Sequence, residues 1–247
     1  GRMQQQAEKF GAKVEYKKVN EITRNEDGTF DLETDSGMVQ SKTVIIATGA
    51  APRYLGLENE MTLVGHGVTS CATCDGAFYR DVPVAVVGGG DSACEEANFL
   101  TRFASKVYLI HRRDELRASK IMADRVIANE KVEPVWDSGI TEYLTDEEGE
   151  VRAVNLENLK TGEKSELEVK CVFVAIGHVP NSQFVGGLVD LDENGYVLQN
   201  PHSTSTKTPG LYAAGDVADH IYRQAITASG QGCAAAIEAE RYLADGE

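Results

Sequence analysis

The stretch that decides the fold is Val84–Ala93, VAVVGGGDSA. Its apolar, mostly β-branched start predicts a buried strand, its three glycines predict a tight turn, and the helical spacing of small apolar residues from Ala93 to Ala104 predicts a helix. A second apolar strand, Val107–Ile110, follows. Strand, glycine turn, helix and strand make a βαβ unit, whose right-handed crossover makes the two strands parallel.

The pattern around this unit repeats. A series of short strands leads to an apolar strand that stops at Ala47-Thr48-Gly49, and a second series leads to one that stops at Ala175-Ile176-Gly177. We therefore predict an α/β fold with two Rossmann-like three-layer nucleotide-binding domains, each with a β-meander. Residues 1–52 and 179–247 form one domain and residues 53–178 the other. The predicted strands are Lys13–Val19, Thr29–Thr34, Thr43–Ala47, Ile140–Thr145, Val151–Asn158 and Lys164–Val169, and the predicted helices include Leu116–Ala128 and Gly232–Leu243.

The first domain has no glycine-rich βαβ unit before Lys13, and Met3–Phe10 resembles the end of a helix. We therefore expect the chain to be an N-terminally truncated piece of a longer protein.

Composition excludes several classes of protein. The 247 residues carry 39 Asp plus Glu against 24 Lys plus Arg, a formal charge of −15, which argues against nucleic-acid binding. A hydrophobic share of 42% and only 6 prolines are typical of a globular chain. No apolar run reaches the ~18 residues of a membrane span, and the N-terminus resembles no targeting segment, so we expect a cytoplasmic protein without membrane contact.

The glycine turn has the spacing of a dinucleotide site, Gly88-x-Gly90-x-x-Ala93. Gly88 permits the tight turn, Gly90 lets the backbone approach a pyrophosphate, and Ala93 lets the helix pack closely on the strand. The helix N-terminus supplies free N–H groups for the phosphates. The alternative is a glycine-rich turn in an unrelated sheet, which the apolar strand before the turn and the helix after it disfavour.

The end of the second strand carries His111-Arg112-Arg113, where an NAD site usually has an acid. Guanidinium groups bind a 2′-phosphate through charge-assisted hydrogen bonds, and Arg117 is close enough in sequence to join them. These residues predict NADP rather than NAD. The alternative is a solvated basic loop.

Cys71 and Cys74 form a C-x-x-C pair on a predicted loop. The spacing permits a redox-active disulfide in which one thiolate attacks a partner disulfide and the other resolves it. Zinc is the rival interpretation, but the other three cysteines are scattered singly, so we predict no metal and three buried thiols at Cys94, Cys171 and Cys233. Asp75 either donates a proton to a leaving thiolate or caps a helix.

Five motifs in order resemble those of the low-molecular-weight, bacterial-type thioredoxin reductases. They are CATCDG at 71–76, GGGDSA at 88–93, HRRD at 111–114, GHVPN at 177–181, and GDV at 215–217 with RQA at 223–225. The resemblance covers essentially the whole chain and implies two cofactors, NADPH and FAD. It assigns NADPH to the domain of residues 53–178 and FAD to that of residues 1–52 and 179–247.

The resemblance also implies which residues bind each cofactor. Those implied for NADPH are Gly88, Gly90, Asp91, Ser92, Ala93, His111, Arg112, Arg113, Arg117 and Gly177. Those implied for FAD are Thr48, Gly49, Gly215, Asp216, Arg223, Gln224 and Ala225, with Asp216 bonded to the ribityl chain.

The implied reaction runs from NADPH through FAD to the Cys71–Cys74 disulfide and then to thioredoxin. The resemblance assigns Cys74 to the flavin side, Cys71 to attack on thioredoxin, Asp75 to proton donation, and a homodimeric assembly to the protein. Two alternatives stay open. One is a flavin-dependent dithiol oxidase or ferredoxin-linked relative, which would not need Arg112 and Arg113, and the other is an inactive nucleotide-binding fragment.

Overall fold

A computed structural model of the chain describes residues 1–246. The chain divides into two compact units, which are Gly1–Ala51 with Val179–Glu247 (unit 1) and Pro52–His178 (unit 2). Elements are numbered here in chain order.

The N-terminal part of unit 1 is a helix followed by an antiparallel sheet. Helix α1 spans Arg2–Lys9, and the strands are β1 (Val19–Arg24), β2 (Phe30–Thr34), β3 (Gly37–Ser41), β4 (Val44–Ile46) and β5 (Ala50–Pro52). The meander has the order β1-β2-β3. The predicted strand Lys13–Val19 is wrong, because only its last residue lies in β1. Val14 and Tyr16 are exposed, so no buried face holds that stretch against a sheet.

The predicted strand Thr43–Ala47 forms as β4, but a further strand precedes it. β3, which sequence analysis missed, completes the meander, and its apolar residues Met38 and Val39 are exposed. β4, at the predicted place of Thr43–Ala47, pairs in parallel with β15 (Leu211–Ala213). β14 (His178–Pro180) pairs with β5, and α5 (Ala225–Asp245) ends the described chain.

Unit 2 holds the parallel sheet that the sequence predicts. Its strands are β6 (Val68–Thr69), β7 (Pro83–Val87), β8 (Lys106–Ile110), β9 (Val132–Val135) and β13 (Val172–Val174), in the order β6-β13-β7-β8-β9. Helix α2 spans Ala72–Asp75, α3 spans Asp91–Leu100 and α4 spans Lys120–Ile127. A meander of β10 (Ser138–Thr145), β11 (Val151–Asn158) and β12 (Lys164–Glu168) precedes β13.

Both faces of the parallel sheet are covered. Successive side chains of a strand point to opposite faces, so Val84 and Val86 join one apolar cluster while Ala85 and Val87 join another. The first cluster contains residues of α3, and the second contains residues of the meander strands β10 and β11. Continuous apolar strands need cover of this kind, which explains why VAVV reads as apolar on both faces.

Two predicted helices begin elsewhere. α4 begins at Lys120 rather than Leu116, because Ser119, at φ −54° and ψ 145°, is not helical and is the N-cap residue. α5 begins at Ala225 rather than Gly232, since the glycines at 230 and 232 lie within the helix without interrupting it. Across residues 1–246, no helix is both long enough and apolar enough to cross a bilayer.

Candidate functional site

A cavity of about 790 Å³ opens at the carboxyl ends of β7, β8 and β13 in unit 2. Parallel α/β sheets bind ligands at this edge. The predicted NADPH residues among its lining are Gly88, Gly90, Asp91, Ser92, His111, Arg112, Arg117 and Gly177. The tertiary structure thus gathers eight of the ten predicted residues around one cavity.

Ala93 and Arg113 do not line this cavity. Ala93 is fully buried in the cluster under the sheet, and a Cβ on Gly88 would lie 2.7 Å from the Ala93 Cβ. Ala93 therefore has the packing role that its place in the glycine motif predicts. Arg113 is exposed, and its carbonyl accepts a hydrogen bond from the N–H of Asp137.

The glycine turn is required by its neighbours. Gly88 has a φ of +154°, and a Cβ there would lie 2.4 Å from the carbonyl oxygen of Ala175. A Cβ on Gly89 would lie 2.2 Å from the His111 ring, whereas one on Gly90 would meet nothing within 4 Å. The protein therefore excludes side chains at the first two glycines. At Gly90 it leaves open space beside the N-terminus of α3, where a pyrophosphate could approach the backbone.

His111 is the buried member of the basic segment. Its side chain is 4% exposed, and among the described residues its Nε2 atom has no hydrogen-bond partner. Burial lowers the pKa of His111, and the charges of Arg117, Arg113 and Arg112 act in the same direction. Burial thus favours the neutral form of the imidazole behind the glycine turn, while Arg112 and Arg117, together with Arg53, bring positive charge to the cavity.

Sequence analysis missed one wall of the cavity, the segment that carries Arg53, Leu55 and Leu57. The buried carboxylate of Glu60 holds this segment by accepting the N–H groups of residues 55, 56 and 57 at 3.0, 2.7 and 3.4 Å. The Tyr143 hydroxyl donates to the same carboxylate at 2.7 Å. Because Glu60 and Tyr143 are 83 residues apart, no local sequence pattern indicates this contact.

Cys71 and Cys74 form a disulfide in unit 2. The pair does not lie on a loop, as predicted, but at the start of helix α2, where Cys71 is the N-cap and its Sγ accepts the N–H of Cys74 at 3.2 Å. Cys71 is half-buried and Cys74 is exposed. When the disulfide opens, a hydrogen bond from the Cys74 N–H would stabilise a thiolate at Cys71.

Asp75 does not cap this helix. Its carboxylate accepts the Thr69 hydroxyl at 2.5 Å, and the Thr69 Oγ1 accepts the N–H of Cys71 at 3.2 Å. Thr69 is 8% exposed, and its buried hydroxyl links the Asp75 carboxylate to the backbone N–H of Cys71. Of the two interpretations left open by the sequence, helix capping is wrong, and proton donation remains a prediction.

The three other cysteines do not share one environment. Cys94 and Cys171 are buried in the cluster beside α3, as predicted, but Cys233 is exposed on α5. Burial raises the pKa of Cys94 to about 11 and raises that of Cys171 further. The prediction for Cys233 is wrong because its position in α5 falls outside the face that packs on β15 through Ala235 and Ala239.

The predicted FAD residues of unit 1 lie at strand ends and at the start of α5. Thr48 follows β4, and its hydroxyl donates to the carbonyl of Asn181 at 2.6 Å. Asp216 follows β15, and burial raises its pKa, with Asp219 acting in the same direction and Arg223 against it. Of the predicted FAD residues, Thr48 lines a cavity of about 700 Å³ beside β4.

A scan against family models matches residues 3–232 to the pyridine nucleotide-disulphide oxidoreductases. A thioredoxin reductase of Streptomyces coelicolor is 47% identical over 242 residues, which are 98% of this chain and 74% of the relative. The chain belongs to the thioredoxin reductase family. The resemblance given by the five motifs is therefore confirmed.

Other members of the thioredoxin reductase family agree in sequence and in fold. A thioredoxin reductase of Mycolicibacterium smegmatis is 56% identical over 206 residues, which are 83% of this chain and 66% of the relative. The crystal structure of thioredoxin reductase from Streptococcus pyogenes MGAS5005 superposes with a TM-score of 0.91 at 41% identity, covering 99% of this chain and 79% of the other. The predicted fold class is confirmed. This chain spans about two thirds to three quarters of the length of the two curated relatives.

Proposed function

We propose that the chain is an NADPH-dependent thioredoxin-disulphide reductase that uses FAD, and that its electrons reach thioredoxin through Cys71 and Cys74. The observation that carries the proposal is a disulfide-bonded C-x-x-C in the same unit as a cavity lined by the glycine turn, Arg112 and Arg117. A dinucleotide site alone would fit many oxidoreductases. The cysteine pair adds the group that exchanges with a protein disulfide.

The cavity suits NADPH. The open space at Gly90 and the N-terminus of α3 would receive the pyrophosphate, and Arg112 and Arg117 would bind the 2′-phosphate. A dithiol oxidase or ferredoxin-linked enzyme would have no use for the two cavity arginines.

The residues of unit 1 suit the polar part of a flavin. The half-buried Asp216 carboxylate could accept a ribityl hydroxyl, and Gly49, whose Cβ would meet nothing within 4 Å, leaves the backbone open to a close ligand. With FAD bound, the flavin would take two electrons from NADPH and pass them to the disulfide. Unit 1 would thus be the FAD domain and unit 2 the NADPH domain.

The proposed disulfide chemistry takes the roles of the two cysteines from the family resemblance. Two electrons and two protons convert the Cys71–Cys74 disulfide into two thiols. The Cys71 thiolate then attacks the thioredoxin disulfide, and Cys74 resolves the mixed disulfide, which returns the pair to its oxidised state and leaves thioredoxin reduced. Asp75, held by Thr69 and next to Cys74 in sequence, supplies the proton that the departing thiolate takes up.

The test is NADPH oxidation coupled to thioredoxin reduction, measured on the chain with FAD added. We expect turnover, and we expect Cys71→Ser and Cys74→Ser to abolish it. Cys233→Ser, which alters an exposed thiol in unit 1, is the matched control and should retain full activity. A protein that holds FAD and oxidises NADPH with oxygen but leaves thioredoxin oxidised would contradict the proposal.

The assembly and location are part of the same proposal. We propose that the protein is a homodimer, as the family resemblance implies, and that it is located in the cytoplasm. A reducing compartment suits a chain that keeps Cys94, Cys171 and Cys233 as free thiols. Light scattering that gives the mass of one chain at micromolar concentration would contradict the dimer.

A further inference from the structure

Two pairs of hydrogen bonds join the glycine turn to the segment that carries Arg117. The carbonyl of Gly89 accepts the N–H of Arg117 at 2.7 Å and that of Ala118 at 3.1 Å. At Ser119, the residue after Ala118, the backbone N–H and the hydroxyl both donate to the Asp91 Oδ1 atom, at 2.9 and 2.8 Å. Arg117 therefore lies on a backbone that is fixed both at its own N–H group and two residues later.

Ser119 bonds Asp91 instead of making the helix-capping hydrogen bond that is usual at its position. It is the N-cap of α4, a position where serine usually bonds a backbone N–H of the helix, yet its side chain makes no such bond here. Its hydroxyl donates to Asp91 instead. The first residue of α3 is thus tied to the first turn of α4, across 28 residues of sequence.

Asp91 is poorly suited to bind the nucleotide directly. A carboxylate only accepts hydrogen bonds and repels phosphate, and its Oδ1 atom is already shared by two donors. The hydrogen bonds from Ser119 also lower the pKa of Asp91, so the group stays ionised at neutral pH. Its position at the cavity therefore needs a role other than that of a ligand.

We propose that Asp91 is a positioning residue that sets the preference for NADPH over NADH by holding the Ser119 backbone, and through it Arg117, toward the 2′-phosphate. This inference rests on the NADPH site of the proposed function and names what selects the cofactor within it. Asp91 acts only through Arg117. Its removal therefore weakens binding of a nucleotide with a 2′-phosphate and spares one without it.

The experiment measures dissociation constants of NADP⁺ and NAD⁺ by calorimetry on the full chain. Asp91→Ala should weaken NADP⁺ binding about tenfold, the effect of losing a hydrogen bond to a charged group, and should change NAD⁺ binding less than about twofold. Asp91→Asn keeps the Oδ1 acceptor and should retain most of the NADP⁺ affinity. Ser119→Ala, which keeps its N–H donor, should fall between the two.

Two controls separate positioning from general damage. Asp124→Ala removes an exposed acid that lies on α4 and pairs with Lys120. It should leave the affinities for NADP⁺ and NAD⁺ unchanged. In an Arg117→Ala background, Asp91→Ala should have no further effect on NADP⁺ binding, because its effect passes through that arginine. Thermal unfolding of each variant shows that it is folded, and if Asp91→Ala does not fold, Ser119→Ala carries the same comparison.

Equal weakening of NADP⁺ and NAD⁺ by Asp91→Ala would overturn the inference, since it would make Asp91 a general support of the glycine turn. Additive effects of Asp91→Ala and Arg117→Ala would overturn it as well. If the unsubstituted chain binds neither nucleotide, the proposed NADPH site itself is wrong. That result appears before any variant is compared, so the two failures are distinguishable.

Discussion

Both units contain a three-stranded meander and apolar parallel strands, but they bury those parallel strands differently. In unit 2, β7 lies inside a five-stranded sheet, and Val84, Ala85 and Val86 are fully buried. In unit 1, β4 pairs only with β15 among the described strands, and Ile45 is 38% exposed. The comparison teaches that both units share an apolar strand with a small-residue stop, whereas the strands beside it decide how much of that strand is buried.

The cavities of the two units also differ in how many of the predicted cofactor-binding residues line them. In unit 2 one cavity brings together residues from 53 to 177, including most of the predicted NADPH residues. In unit 1, Thr48 lines the cavity beside β4, and the other six predicted FAD residues do not. A glycine-rich βαβ unit places its ligand-binding residues close together in space because strand, turn and helix are contiguous.

The largest expected effect tests the difference in burial. Leu109→Ala in β8 removes a fully buried side chain and should lower the free energy of unfolding by about 2–5 kcal/mol. Ile45→Ala in β4 removes a partly exposed one and should lower it by less than about 1 kcal/mol. Urea denaturation measures both, and equal losses would show that β4 is as well covered as β8.

The cysteines provide a chemical form of the same test. At pH 8, burial and a pKa of about 11 should make alkylation of Cys94 at least about 100-fold slower than that of the exposed Cys233. Raising the pH toward this pKa increases the thiolate fraction of Cys94 and should reduce the difference in alkylation rate between the two cysteines. Mass spectrometry after timed alkylation measures this, with the unfolded chain as the control in which both label rapidly. Fast labelling of Cys94 in the native chain would show that the cluster beside α3 opens.

The arginines sharpen the description of the unit 2 cavity. Arg117→Ala should weaken NADP⁺ binding roughly 10- to 100-fold, because a charge-assisted hydrogen bond to phosphate is lost. Arg113→Ala, at an exposed residue outside the cavity lining, is the matched control and should change the dissociation constant less than about threefold. A loss at Arg113 as large as that at Arg117 would restore the sequence prediction that both bind the phosphate.

The smallest effect concerns the acid beside the disulfide. Thr69→Val keeps the side-chain shape but removes the donor to Asp75 and the acceptor of the Cys71 N–H, so kcat for thioredoxin reduction should fall about tenfold. KM for NADPH should not change, because the nucleotide cavity does not include Thr69. Thr69→Ser should restore the rate. An unchanged kcat in the valine variant would remove Thr69 from the proton path.

Local patterns predicted the elements whose neighbours are close in sequence. β11 spans Val151–Asn158 as predicted, and the glycine turn leads into α3 as its motif requires. The predicted start of α4 is wrong because the Asp91 carboxylate, distant in sequence, holds Ser119 in the N-cap position. Sequence periodicity describes which face of a helix is apolar, but it contains no information about a hydrogen-bond partner elsewhere in the chain.

By itself the sequence determined the α/β class, the dinucleotide motif, the cysteine pair and the family, because each depends on residues a few positions apart. Only the tertiary structure decided that Arg117 and not Arg113 lines the cavity, that Glu60 holds its far wall, and that Thr69 rather than a helix end engages Asp75. The physical reason is one of range. Backbone propensity and side-chain spacing act within a turn or a strand, whereas a buried carboxylate or hydroxyl is satisfied by whichever donor or acceptor the fold brings to it.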